Sequence, residues 1–126
     1  GMIRSTDELA NSLNPLEYEK EGKELAKSME GKIPLIYSSR TNYIIGYNWK
    51  IKLNETGKIP AFCNVIPESN HNEINGFEVP AFASRFYCVF LEDDEDHPRV
   101  KKQMETVKFF YKERGLEITV KKINGN

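Results

Sequence analysis

The chain has 126 residues, 39% of them hydrophobic and 29% charged, which is enough for one packed core and too little for two ordinary domains. Eighteen basic residues against nineteen acidic ones leave a formal charge of -1, so no overall field draws nucleic acid or an anionic membrane surface. Apolar runs such as Tyr43 to Ile45 and Phe86 to Leu91 fall far short of the ~20 residues of a membrane span.

The start lacks a basic segment followed by an apolar one, so no secretory signal is expected and the chain reads as cytoplasmic. Asn14 followed by Pro15 reads as a cap and first turn, and Gly31 as the stop of a leading helical segment over residues 1–32. "KIPLIYSS" then has the form of a buried parallel strand opening into a loop. Its end offers Ser38, Ser39 and Arg40 as possible phosphate contacts at the start of the next helix, although no glycine-rich phosphate loop accompanies them.

Thr41 can cap a helix running to about Glu55. Along it Ile44, Asn48, Ile51 and Glu55 recur at three- and four-residue steps, which puts Glu55 at the end of one face. Gly57 is the expected left-handed terminator. "IPAFCNVI" is either a second short strand or an irregular connection between Pro60 and Pro67. "SRFYCVFLED" is the clearest strand and is expected to be central. After "DDEDHPRV" a helix begins with Pro98 in its first turn, Val100, Met104, Val107 and Tyr111 form its apolar stripe, and Gly115 ends it. "LEITVKK" is the last strand. The order predicts an α/β fold: an open, mostly parallel, doubly wound sheet flanked by helices, with residues 33–126 as its core.

Two residues stand out as chemistry. Glu55 lies in the last turn of a helix, beside the negative end of the macrodipole and next to an apolar face, a setting suited to a general base; a solvated helix-end glutamate is the plainer reading. His71 sits in the polar "ESNHNE" stretch, where it could move a proton to or from a substrate oxygen; a hydrogen-bonded loop histidine is the alternative. Glu68, His71 and Glu73 make a poor metal set, since no further His or Cys joins them. His97 fits a local role at its helix start. Phe109, Phe110 and Tyr111 are expected to pack rather than to stack on bases. Cys63 and Cys88 are expected as small apolar residues.

"PLIYSS", then "YNWKIKLNETGKIPAFCNVIPESNHNEINGFE", then "DHPRVKKQMETVKFF" resemble, in that order, the second sugar isomerase (SIS) domain of the archaeal-type bifunctional phosphoglucose/phosphomannose isomerases. The resemblance covers most of the chain after Gly31. It implies aldose–ketose isomerisation of a hexose phosphate, glucose 6-phosphate or mannose 6-phosphate to fructose 6-phosphate, through a cis-enediol and with no cofactor or metal. It also implies roles: Glu55, the glutamate of the "NE" pair, as the base at C1 and C2, and His71 as the ring-opening group, often supplied across a homodimer. The family's first SIS domain, with its serine/threonine phosphate loop and arginine, has no counterpart in Met2 to Lys32. Its C-terminal helix and lysine have none after "KKINGN". The expectation is therefore a truncated sugar isomerase domain with little turnover of its own. The rival reading is a non-catalytic module for sugar-phosphate binding or dimerisation.

Overall fold

A computed structural model describes residues 15–66 and 80–123. The chain divides into two units, residues 1–30 and 31–126. In the first, α1 spans Pro15–Ser28, starting at the predicted proline. Gly31, in the left-handed region at φ 77°, follows it as expected of a helix stop.

In the second unit the two most apolar runs become the middle of a sheet. β1 (Ile33–Ser39) and β3 (Phe86–Glu92) are buried along most of their length. Strands with both faces covered need apolar residues at nearly every position, which is why neither shows simple alternation. β2 (Phe62–Ile66) and β4 (Glu117–Lys122) form the edges, in the order β2-β1-β3-β4, and every pairing is parallel. The uncertain "IPAFCNVI" segment thus contains a strand, which begins two residues after Pro60.

Parallel neighbours require crossovers. α2 (Tyr43–Glu55) joins β1 to β2, and α4 (Pro98–Glu113) joins β3 to β4. A single helical turn, α3 (Pro80–Ala83), precedes β3. α2 lies on the sheet face that carries Ile36, Ser38 and Leu91, with Gly46 its one fully buried residue, close against all three. α4 covers the other face, where Met104, Val107 and Tyr111 pack with Tyr37, Cys88 and Phe90. The Tyr37 ring stacks on Phe90 at 5.1 Å and meets Tyr111 edge-on at 5.7 Å. Helices on both faces make the sheet doubly wound, as the element order predicted.

Several local expectations change. Asn42, not Thr41, is the residue before α2, and its side chain makes no cap hydrogen bond, being directed elsewhere. Gly57 is not left-handed; Lys58 takes that conformation, at φ 58°. Glycine is still required at 57, because a Cβ there would stand 2.7 Å from the Leu53 carbonyl oxygen. Of the three aromatic residues expected to pack, only Tyr111 is buried, whereas Phe109 is 58% exposed and Phe110 38%. At α4 the expectations hold. His97 is the N-cap, its Nδ1 accepting from the Arg99 amide at 3.1 Å, and Gly115 ends the helix at φ 87°.

Candidate functional site

α2 runs antiparallel to the strands it connects, so its two ends lie at opposite ends of those strands. Its 13 residues span about 20 Å. Glu55 sits at one end, beside the amino ends of the strands; Ser38, Ser39 and Arg40 sit at the other, at the carboxyl end of β1. Within one chain the structure therefore does not bring the predicted base together with the predicted phosphate contacts. His71 lies outside the described residues.

The Glu55 end is built by its neighbour. Asn54 donates from Nδ2 to the Ile59 carbonyl at 2.9 Å, and its Oδ1 accepts from Lys50 Nζ at 3.2 Å. The chain after the helix is folded back by amide bonds: Thr56 and Gly57 both donate to the Lys52 carbonyl and Ile59 donates to Leu53. Asn54 and Gly57 thus fix the exit on which Glu55 is carried. The Glu55 side chain is exposed, and the line predicted to shield it is open as well: Ile44 is 71% exposed and Asn48 is also exposed. The desolvation expected from that face is not provided by the described residues. A shallow groove of about 280 Å³, lined by Asn48, Trp49, Lys52 and Leu53, runs along the last turns of the helix.

The opposite end is the topological switch point, where the chain leaves β1 toward β2 on one side and returns on the other as β3. Open α/β sheets bind ligands in that crevice, but here its polar groups satisfy one another. Asn42 Nδ2 donates to Ser39 Oγ at 3.2 Å, to Asp93 at 3.2 Å and to Asp96 at 3.3 Å. Ser38 donates to the Ser39 carbonyl, and both serines are buried. The Glu95 amide, followed by Asn42, holds the Asp93 carboxyl below the usual carboxylate range. A neighbouring cavity of about 300 Å³ adds Glu92, Asp94 and Glu105 to these carboxylates, against Lys101, Lys102 and Lys122. Negative charge beside Ser39 disfavours a phosphate there. Of the three predicted contacts only Arg40 is exposed.

Sequence reading missed Asn42 as the hub of this end. No local signal marked it: an asparagine one residue before an α-helix normally caps that helix's own amides, whereas this one donates to carboxylates after β3. It also missed Lys108, which is buried and paired with Glu92 and Glu105. Among the described residues no group of three or more His, Cys, Asp or Glu is placed to hold a metal ion. No described helix is long and apolar enough to cross a membrane.

A parallel sheet with helices on both faces is the arrangement of a SIS-like α/β domain. Residues 18–126 match the family model described as the bacterial phospho-glucose isomerase C-terminal SIS domain, and the chain belongs to that family. It is 34% identical over 107 residues to a bifunctional phosphoglucose/phosphomannose isomerase of Aquifex aeolicus, covering 85% of this chain and 33% of that protein. A protein of the same description from Caldicellulosiruptor bescii is 41% identical over 88 residues, 68% of this chain and 26% of the relative. A D-glucosamine-6-phosphate 4-epimerase of Sulfolobus acidocaldarius is 42% identical over 50 residues, 40% of this chain and 16% of that protein. The chain spans about a third or less of these relatives. No solved structure gives a significant match.

Proposed function

We propose that this chain carries the proton-transfer half of a hexose-phosphate aldose–ketose isomerase. Glu55 is the base that moves a proton between C1 and C2 of the open-chain sugar, by way of a cis-enediol, and His71 is the acid–base group at the ring oxygen. Proton transfer next to a carbonyl needs a base over the carbon skeleton and a separate group that opens the ring. The observation that carries the reading is the position of Glu55: an exposed carboxylate on a helix exit held by Asn54 and Gly57, in a chain whose family is that of phosphoglucose isomerase C-terminal domains. The names of the relatives support a phosphorylated hexose as the ligand.

A single copy is expected to turn over little substrate, because the exposed arginine that could anchor a phosphate is about 20 Å from the base, and lost positioning weakens transition-state binding by several kcal/mol. Trp49, the chain's one tryptophan, lines the groove next to Glu55 and supplies the assay. Titration with fructose 6-phosphate is expected to change its fluorescence saturably, and to do so less strongly in Glu55→Gln and His71→Ala. Saturable binding that both substitutions leave untouched overturns the assignment of these residues. The epimerase relative favours a second reading, other chemistry on the same ligand class; product analysis by NMR with glucosamine 6-phosphate as substrate separates the two.

A further inference from the structure

Tyr43, Tyr47, Lys50 and Asn54 recur along α2 at steps of four, three and four, so they stand above one another on one side of the helix. Each touches the next. The Tyr43 hydroxyl donates to the Cys63 sulfur on β2, and the Tyr43 and Tyr47 rings lie 6.0 Å apart. The Lys50 ammonium sits 5.7 Å from the centre of the Tyr47 ring and donates to Asn54 Oδ1 at 3.2 Å. Asn54 Nδ2 then donates to the Ile59 carbonyl at 2.9 Å, while the Ile59 amide donates to Leu53. From this geometry we infer that Lys50 is a positioning residue: it locks the Asn54 amide, and through it the turn of residues 56–59 that holds Glu55 in place for proton transfer. The inference rests on the isomerase reading for what Glu55 does, but not for how Glu55 is held.

The lock follows from donor and acceptor chemistry. An ammonium only donates and a backbone carbonyl only accepts. With Lys50 on one side and Ile59 on the other, one orientation of the Asn54 amide satisfies both. Turned over, the amide would set its NH2 against the ammonium and its oxygen against the carbonyl. The face of the Tyr47 ring attracts the same ammonium and keeps the lysine lying along the helix. Lys50 and Asn54 are both half-buried, where a charge-assisted bond is stronger than on open surface. A neutral side chain at 50 removes the discrimination between the two orientations.

Lys50 does this without touching the base. Five positions separate it from Glu55, which places the two about 140° apart around the helix. Its influence therefore passes through the backbone. Ile59 is held at both its amide and its carbonyl, and the residues between it and Glu55 are closed into a short turn by those two bonds. If the Asn54 bond is lost, the Leu53 bond alone keeps Ile59 against the helix end.

Two measurements on the purified chain test the proposal. In the ligand-free protein, amide hydrogen exchange by NMR reads the turn. Lys50→Met is expected to speed exchange of the Ile59 amide about fivefold, the worth of one hydrogen bond, and Asn54→Leu to match it. Lys50→Arg, which keeps a cationic donor, is expected to stay within about twofold of wild type. Fructose 6-phosphate binding, followed through Trp49 fluorescence, reads the consequence. Lys50→Met and Asn54→Leu are each expected to weaken it about fivefold, and the double variant no more than either alone, because they break the same lock. In a Glu55→Gln background the Lys50→Met loss is expected to vanish. A lysine that only attracted the anionic sugar, or only supported the fold, would keep its full effect there. Unchanged Ile59 exchange in Lys50→Met, or a binding loss of undiminished size in Glu55→Gln, overturns the proposal. Faster exchange in Lys50→Met with no saturable binding by wild type upholds the lock and counts against the isomerase reading alone.

Discussion

Replacing Gly57 by alanine decides between two accounts of how the chain leaves the helix that carries Glu55. The new Cβ would stand 2.7 Å from the Leu53 carbonyl oxygen, which is backbone and cannot rotate away. That oxygen also accepts the Ile59 amide at 3.3 Å, so opening the turn costs this bond, about 1 kcal/mol, besides the steric shift of about 1–3 kcal/mol. Alanine recovers about 0.4–1 kcal/mol by restricting the unfolded chain. The net loss is about 1–3.5 kcal/mol, which for 126 residues lowers Tm by about 4–14 °C in differential scanning calorimetry. Lys58→Gly works the other way. Relieving a left-handed lysine returns about 1 kcal/mol against a similar entropic loss, so its Tm should stay within about 3 °C of wild type. A Gly57→Ala protein melting at or above the wild-type temperature would refute the close-approach argument. A clear loss in Lys58→Gly would show that glycine 57, and not lysine 58, supplies the left-handed turn.

Lys108→Met leaves the largely buried Glu92 carboxylate with Lys122, at 3.7 Å, as its remaining cation among the described residues, and should cost about 2 kcal/mol in urea unfolding, less than the ~3–5 of a fully isolated buried charge. Burial pushes the Lys108 ammonium down, but its hydrogen bonds to Glu105 and Glu92 outweigh this and raise it. Its contribution is therefore complete below the usual lysine range and lost as pH climbs through the raised value, and the alkaline loss of stability should be smaller in the methionine variant. Asp93 has the opposite sign. Held low by the Glu95 amide and Asn42, its carboxylate stabilises the fold above the usual carboxylate range and ceases to as pH falls through the lowered value, so Asp93→Asn should show a shallower acid transition by circular dichroism.

What could be read from the sequence is what depends on neighbours along the chain. Pro15, Pro98, His97, Gly31 and Gly115 mark helix ends because capping and left-handed turns involve residues within one turn of each other. The apolar runs of β1 and β3 announce strands covered on both faces, and helices between them announce a parallel sheet. The "NE" pair was equally visible as a helix exit. Yet the sequence could not say that Asn54 clasps Ile59, or that Leu53 presses on Gly57 rather than requiring it to be left-handed.

The larger decisions belong to tertiary structure. Asn42 is more than fifty positions from Asp93 and Asp96 and meets them only because β3 pairs with β1, so a crevice that looked like a phosphate site is filled by its own polar groups. The length of α2 likewise separates Arg40 from Glu55, although both lie on the same stretch of sixteen residues. Periodicity sorts a helix into faces, but which face meets the sheet depended on Gly46 fitting over Ile36, Ser38 and Leu91. That contact turned Ile44 and Tyr47 outward, because the side with the smallest residue lets the helix come closest to the sheet.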